Sequence, residues 1–290
     1  NYAGDELQTK IKTVIGSLSA RVEVMAKPGE LDACKPYLVV TAGILEENVS
    51  DAVELLIELF THGRYDELDK IYETVMQNEY MIKQALIAGG HQFAITRALS
   101  AFSKENAMKE LLDGETFVRW FSDFTEGFMD KAEEYACIFE SLMTRAFAKN
   151  RMFAGYSGDI SDDVLESLIT ALPENQIGEC ADCPSYDRED SSIEIPASVG
   201  FSGFGHNLYS LGSSFSGGWA VLSSLMSFGY LWNMVRVQGG AYGTGMGTQM
   251  NGNIFVYSYR DPNLAGTRDA YRGISLSSLH RRECLLMTSS

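Results

Sequence analysis

The stretch that decides the fold occupies residues 231–243 and reads LWNMVRVQGGAYG. It ends an apolar run that starts at about Gly218, and a run of this length predicts a buried helix reaching Val237. Gly239 and Gly240 follow, and glycine is the residue that most easily lets a chain leave a helix. The sequence therefore predicts a long buried helix that ends in a glycine turn.

A hairpin is predicted immediately after this turn. Ala241–Thr248 and Ile254–Tyr259 have the alternating spacing of strands. Asn251-Gly252 lies between them and favours a type I′ turn. Asp261-Pro262 follows and predicts a further helix that Asp261 caps, with the proline in its first turn. Helix, hairpin and helix together predict a small α+β domain.

The N-terminal part of the chain predicts a second unit of the same class. Arg21–Lys27 and Tyr37–Ile44 have strand spacing, and the residues from 66 to about 149 are helical in period almost throughout. Further strands are predicted at Met152–Tyr156 and Ile193–Val199. The expected fold class is therefore α+β, with two successive domains, each a mainly antiparallel sheet covered by helices on one face.

The domain boundary follows from a change in composition. Residues 174–192 are polar and acidic and contain Pro184, which is typical of a linker. We therefore predict one domain at residues 1–173 and another at residues 193–290.

Composition excludes some classes of function. The 290 residues are 45% apolar, as in globular proteins, and carry a formal net charge of −16. A chain so acidic is not expected to bind nucleic acid, whose phosphates need a basic surface. No secretory signal or membrane span is recognised, and the five cysteines are an odd number, so we expect a cytoplasmic protein with no membrane partner.

The sequence contains no complete metal or nucleotide motif. None of its four histidines belongs to a His-x-x-Glu-His motif in either direction. Cys180 and Cys183 have Cys-x-x-Cys spacing but lack the second pair that a structural zinc needs, which favours two ordinary linker thiols. The glycines at 239–247 precede a strand rather than open a helix, so they predict no phosphate site. We expect no metal and no cofactor in this chain.

Arg236 is the one formal charge between Ile195 and Tyr259. A guanidinium late in an apolar helix needs a partner if it is buried. It could pair with a carboxylate from another segment, or interact with the last carbonyls of the helix. It could equally project into a cavity and bind a ligand carbonyl or carboxylate, which suits its planar fork. Composition alone leaves these alternatives open.

Residues 231–243, together with SYRDPNL at 258–264, resemble the C-terminal half of the presequence proteases, which belong to the pitrilysin/insulinase superfamily of zinc peptidases. The similarity covers most of residues 20–272. Residues 274–290 are not recognised as similar, and neither are the first strand and helix of the family's third domain. The chain is therefore expected to be a fragment, with residues 1–173 as an N-terminally incomplete third domain and 193–290 as a C-terminally incomplete fourth domain.

The resemblance implies one half of a clamshell endopeptidase that degrades unfolded peptides. Zinc is expected in a partner, the N-terminal catalytic half, and this chain is expected to have no catalytic residue and no activity alone. The resemblance assigns Arg236 and Tyr242 to contact with the peptide substrate near the scissile bond, with Gly239 and Gly240 forming the substrate-loop backbone. A tyrosine hydroxyl can donate to a developing oxyanion, and an arginine can hold a peptide carbonyl.

A second function stays open from the sequence. Proteins of the same fold also serve as core subunits without catalysis, so the chain could be a stand-alone, non-catalytic binding or scaffold protein. The residues encoded upstream of Asn1 separate the two hypotheses, because a His-x-x-Glu-His motif there supports the peptidase.

Overall fold

The computed structural model describes residues 4–158, 161–175, 183–187 and 191–280. Helices combine with two small sheets in this part of the chain, which confirms the predicted α+β class. The described residues form two compact units that alternate along the sequence. The first lies within residues 1–23, 37–77 and 123–182, and the second within residues 24–36, 78–122 and 183–290. The predicted division at residues 174–192 stays a prediction, and residues 176–182 and 188–190 of that linker lie outside the described part.

The regular elements begin with a helix, a two-stranded sheet and a long helical region, and a three-stranded sheet with its helices follows. In chain order they are α1 (Gly4–Val14), β1 (Ser17–Met25), β2 (Lys35–Gly43), α2 (Val49–Thr61), α3 (Leu68–Leu99), α4 (Lys104–Asp113), α5 (Glu115–Glu126), α6 (Ala132–Ala146), α7 (Asp162–Ala171), β3 (Gly200–Asn207), α8 (Gly217–Leu225), a π-helix (Met226–Gln238), β4 (Gly243–Thr248), β5 (Asn253–Asp261) and α9 (Leu264–His280). None of the helices in the described part is long and apolar enough to cross a membrane.

The first unit has an aliphatic core. Ala52, Val53, Leu55 and Leu56 of α2 are buried together, because apolar residues three and four apart share one helix face. Leu168 of α7 joins this core. The unit therefore buries an apolar stripe in the ordinary manner of an amphipathic helix.

The second unit is built on an antiparallel sheet with the strand order β3-β5-β4. Val256 of β5 pairs with Met246 of β4, and both side chains are buried against Leu231 and Val235 of the π-helix. Ala270 of α9 completes this cluster. The sheet and the helix that precedes it thus share one core.

The long predicted helix from Gly218 to Val237 is two helices in series, α8 and the π-helix. The buried residues of the π-helix are Met226, Leu231 and Val235, with spacings of five and four. This spacing is wider than an α-helical stripe and fits the i→i+5 bonding of a π-helix.

Two predicted strands are wrong. Met152–Tyr156 form no strand, and Phe153 in their centre is largely exposed. Ile193–Val199 also form none, because the strand starts at Gly200 as β3. Glycine lowers strand propensity, but Gly203 is needed here: a Cβ at this position would lie 2.6 Å from the backbone of Ala94 in α3.

The connections around β5 also differ from the prediction. β4 and β5 are joined by residues 249–252, and only Gly252 among them has a positive φ, of 87°. A type I′ turn needs two such residues, so that prediction is wrong. Helix α9 starts at Leu264, and Asn263 caps it by accepting from the Gly266 N–H at 3.1 Å, so Asp261 does not cap this helix.

Candidate functional site

The π-helix presents one guanidinium beside two aromatic rings of the second unit. Arg236 Cζ lies 4.1 Å from the ring centre of Trp232, which precedes it by four residues, and 5.8 Å from that of Tyr242. Both are cation–π distances. Arg236 is half-buried and makes no ion pair with any carboxylate in the described part of the chain. The alternative of a buried ion pair is therefore removed.

Gly239 and Gly240 form the predicted turn. A Cβ on Gly239 would lie 2.5 Å from the Val235 carbonyl oxygen, and Gly240 has a left-handed φ of 84°. The Gly240 N–H donates to the Arg236 carbonyl at 3.0 Å, which closes the helix with a left-handed cap. Two glycines are needed here because any side chain would clash at the first and be strained at the second.

Tyr242 lies just after this turn, and its side chain is 60% exposed. Its ring is edge-on to Tyr259, with centres 5.6 Å apart, and Arg260 Cζ lies 5.9 Å from its centre. The Tyr242 N–H donates to the Arg260 carbonyl at 3.1 Å. Tyr242 is thus an exposed phenol with a guanidinium on each of two neighbouring elements.

A buried polar network holds the end of β5 in place. Asp261 is 1% exposed, and its carboxylate accepts from Ser258 Oγ at 2.7 Å, Thr267 Oγ1 at 2.6 Å and the Asn263 N–H at 2.8 Å. The preceding residue, Arg260, has a φ of 48°, which is uncommon for a residue with a side chain. The network stabilises this backbone and so fixes the strand that pairs with Tyr242.

The same network continues to Tyr271 in α9. Its hydroxyl lies 3.0 Å from Ser202 Oγ, which in turn lies 2.7 Å from Ser258 Oγ. Burial raises the pKa of Tyr271 to about 12. Tyr271 therefore serves as a neutral hydrogen-bonding group inside the fold.

The glycines of β4 provide space for aromatic rings. Gly243, Gly245 and Gly247 lie opposite Tyr259, Tyr257 and Phe255 in the sheet. A Cβ on any of these glycines would lie 2.2–2.9 Å from an atom of the opposite side chain. This is the physical reason for the G-x-G-x-G pattern, and it needs no phosphate.

A cavity of about 370 Å³ lies between the helical segment and β4. The helices contribute Ser223, Ser227, Trp232 and Arg236 to its wall, and the sheet contributes residues that include Thr244 and Tyr259. Arg236 therefore faces a cavity, as the third alternative from the sequence requires. Tyr242 is not part of the wall, although its ring is close to Arg236.

His91 of α3 lies among aromatic rings of the sheet. Its ring centre is 5.2 Å from that of Tyr259 and 5.4 Å from that of Tyr257. Burial lowers the pKa of His91, so the neutral imidazole is favoured. Among the described residues, His91 has no neighbour that could complete a metal site with it.

Cysteines provide no metal site in the described residues either. Cys183 Sγ lies 3.3 Å from Cys34 Sγ, a contact that the sequence did not predict, whereas Cys180 and Cys284 lie outside the described part. No group of three or more His, Cys, Asp or Glu side chains in that part could hold a metal ion. The described residues therefore do not fit a catalytic zinc, and no chemical step is assigned to zinc here.

Two family models match the chain. The first, which describes a region associated with peptidases of the pitrilysin family, subfamily C, matches residues 1–124. The second, the PreP C-terminal domain, matches residues 190–288. The chain belongs to the pitrilysin-family peptidases and corresponds to their presequence-protease-like C-terminal half. The expectation that residues 274–290 do not resemble the family is wrong, because the second match continues to residue 288.

Several relatives narrow this class further. The chain is similar to Protein HypA of Clostridium perfringens, at 25% identity over 94% of this chain and 28% of the relative. It is also similar to Presequence protease 1, chloroplastic/mitochondrial, of Arabidopsis thaliana, at 24% identity over 92% of this chain and 25% of the relative. A third relative is the mitochondrial presequence protease of Candida albicans, at 22% identity over 92% of this chain and 28% of the relative. The chain thus spans about a quarter of the length of these relatives.

Proposed function

We propose that this chain is the part of a zinc endopeptidase that closes over the peptide chamber and contacts the substrate. The catalytic zinc is expected in an N-terminal half, and this chain alone is expected to be inactive. The observation that carries the proposal is Arg236: it faces a cavity beside Tyr242 and has no carboxylate partner in the described residues. The cytoplasmic localisation stays a prediction.

The proposed roles follow from the chemistry of the two side chains. Arg236 is half-buried and stacked on Trp232, so its fork is held in place without its donors being used. It would donate to a peptide carbonyl or carboxylate. The exposed Tyr242 hydroxyl would donate to the oxygen that develops negative charge when the peptide is cleaved. Gly239 and Gly240 would set the distance between them.

The test uses this chain joined to its zinc-binding half. Tyr242→Phe is expected to lower turnover of an unfolded peptide about 10²–10³-fold, the typical effect of losing one oxyanion donor. Arg236→Ala is expected to lower it about 10–100-fold. Both variants should keep the thermal midpoint, because neither side chain is an ion-pair partner in the fold.

Arg260→Ala is the matched control. It removes a guanidinium at the same distance from Tyr242 but outside the wall of the cavity, and we expect less than a threefold change. A sharp fall in midpoint with a proportionate loss of activity for Arg236→Ala would falsify the contact with substrate. Full activity of a protein without any zinc-binding half, or a binding role without proteolysis, would favour the scaffold alternative.

A further inference from the structure

The wall of the cavity contains a second unused donor, Ser223. This α8 residue is 8% exposed, and its Oγ has no hydrogen-bond partner within the described structure. Buried hydroxyls are nearly always paired, so an unpaired one in a cavity wall indicates a missing acceptor. Ser227 differs, because its Oγ accepts from the Met246 N–H at 2.9 Å and is already engaged.

The charge around the cavity has one sign. Of the residues that line it, Arg236 is charged and none is acidic within the described part. The nearest carboxylate in sequence, Asp261, is 1% exposed and accepts three hydrogen bonds. The chain as a whole has a net charge of −16, but exposed charges beyond about 8 Å are largely screened at physiological salt. The cavity is therefore a locally positive site in an acidic protein.

We infer that this cavity binds a carboxylate group of the peptide, held by the Arg236 guanidinium and the Ser223 hydroxyl. A carboxylate has two oxygens, and the two donors of the wall are of the kinds that it accepts. The cavity volume lies near the lower end of ordinary ligand pockets, about 300–1,000 Å³. This inference rests on the proposed function, because it names the part of the substrate that Arg236 receives.

Two sources can supply the carboxylate: an Asp or Glu side chain, or the C-terminus of the peptide. The test uses four versions of one fluorescently labelled, unstructured ten-residue peptide, with central Glu or Gln and a free or amidated C-terminus. Binding to the 290-residue chain is measured by anisotropy. We expect the loss of one carboxylate, and not the other, to weaken binding about tenfold, which identifies the source.

Variants of the chain test the two donors. Arg236→Ala is expected to remove the difference between the acid and the neutral peptides. Ser223→Ala is expected to weaken the acid peptide about threefold to tenfold without lowering the thermal midpoint, since that hydroxyl has no partner in the described fold. Arg260→Ala is the control and should preserve the difference within twofold.

The outcomes separate this inference from the proposed function. Equal affinity for all four peptides, with Arg236→Ala weakening all of them alike, overturns the carboxylate site but leaves Arg236 as a contact for peptide carbonyls. No effect of Arg236→Ala on any peptide, or no binding of any peptide, contradicts both. A midpoint that falls in Ser223→Ala shows that the hydroxyl has a structural partner, and this also overturns the inference.

Discussion

The two units of the chain bury different kinds of side chain. The core of the first is aliphatic, with Val53, Leu55 and Leu56 on one face of α2. The second unit has an aliphatic core too, but it also buries Asn253 and Asp261 almost completely at the two ends of β5. Apolar burial is not directional, whereas hydrogen bonds fix positions. The second unit can therefore hold side chains near Arg236 in a defined arrangement, and the first has no comparable device in its described residues.

The hairpin turn shows how complete the polar pairing is. Asn253 and Asn106 exchange two amide hydrogen bonds, at 2.8 and 2.9 Å. Asn207 Nδ2 also donates to Asn253 Oδ1 at 3.0 Å, and Asn251 Nδ2 donates to Glu105. These bonds attach the turn to α4 and β3, so they position β4 and β5 from the end opposite to Tyr242.

The largest effect is expected from Asp261→Ala. The change leaves two buried hydroxyls and one backbone N–H without their acceptor, which should lower the free energy of unfolding by about 4 kcal/mol. Asp261→Asn keeps the shape and one acceptor oxygen and should lower it by about 1–2 kcal/mol. Urea denaturation measures both values. A loss below about 1 kcal/mol for the alanine variant would show that the network is not what fixes this end of the strand.

A smaller loss is expected from Leu56→Ala in the first unit. Removing this buried side chain leaves a cavity and should lower the free energy of unfolding by about 3 kcal/mol. Peptide affinity of the folded protein, measured by anisotropy, should not change. If affinity fell along with stability, the comparison between an ordinary core and a positioning network would fail.

The smallest effect concerns Glu110 in the second unit, a buried carboxyl that is only partly paired. Its Oε1 accepts from the N–H and hydroxyl of Thr116 at 3.0 Å, but its Oε2 has no partner in the described structure. Burial raises the pKa of Glu110 above its ordinary value. The folded state therefore binds this proton more tightly than the unfolded state, and the associated stability is full below the unfolded pKa and lost as pH rises through the folded pKa.

Glu110→Gln should remove that loss. At pH 7 the variant is expected to be more stable by roughly 1 kcal/mol, and its thermal midpoint should decline less between about pH 4.5 and pH 8. Glu126→Gln, an exposed position, is the control and should leave the profile unchanged. A Glu110→Gln variant that is less stable at pH 7 would mean that the ionised carboxylate is fully paired.

Much of the fold could be predicted from the sequence, and the exceptions have physical causes. Helices and alternating strands were found where apolar spacing is regular. β3 was missed because its glycines allow α3 to approach closely, and this lowers the strand signal. The π-helix has the apolar content of an ordinary helix, although the spacing of Met226, Leu231 and Val235 contained the information that distinguishes it.

The candidate site shows the same division. A lone charge in a neutral stretch singled out Arg236, and the glycine pair indicated the turn correctly. Ser223 and Trp232 were missed because serine and tryptophan in an apolar helix look like any other helical residues. The role of Asp261 was also missed, since its partners Ser258 and Thr267 lie on separate elements and only the fold brings them together.

The central claim is that Arg236 and Tyr242 contact the peptide, and the most direct measurement is a structure of the chain with its zinc-binding half and a bound, uncleaved peptide. We predict a guanidinium nitrogen of Arg236 and the hydroxyl of Tyr242 within about 3.2 Å of peptide oxygens. A peptide that passes more than about 6 Å from both side chains, beyond reach of one bridging water, would contradict the account.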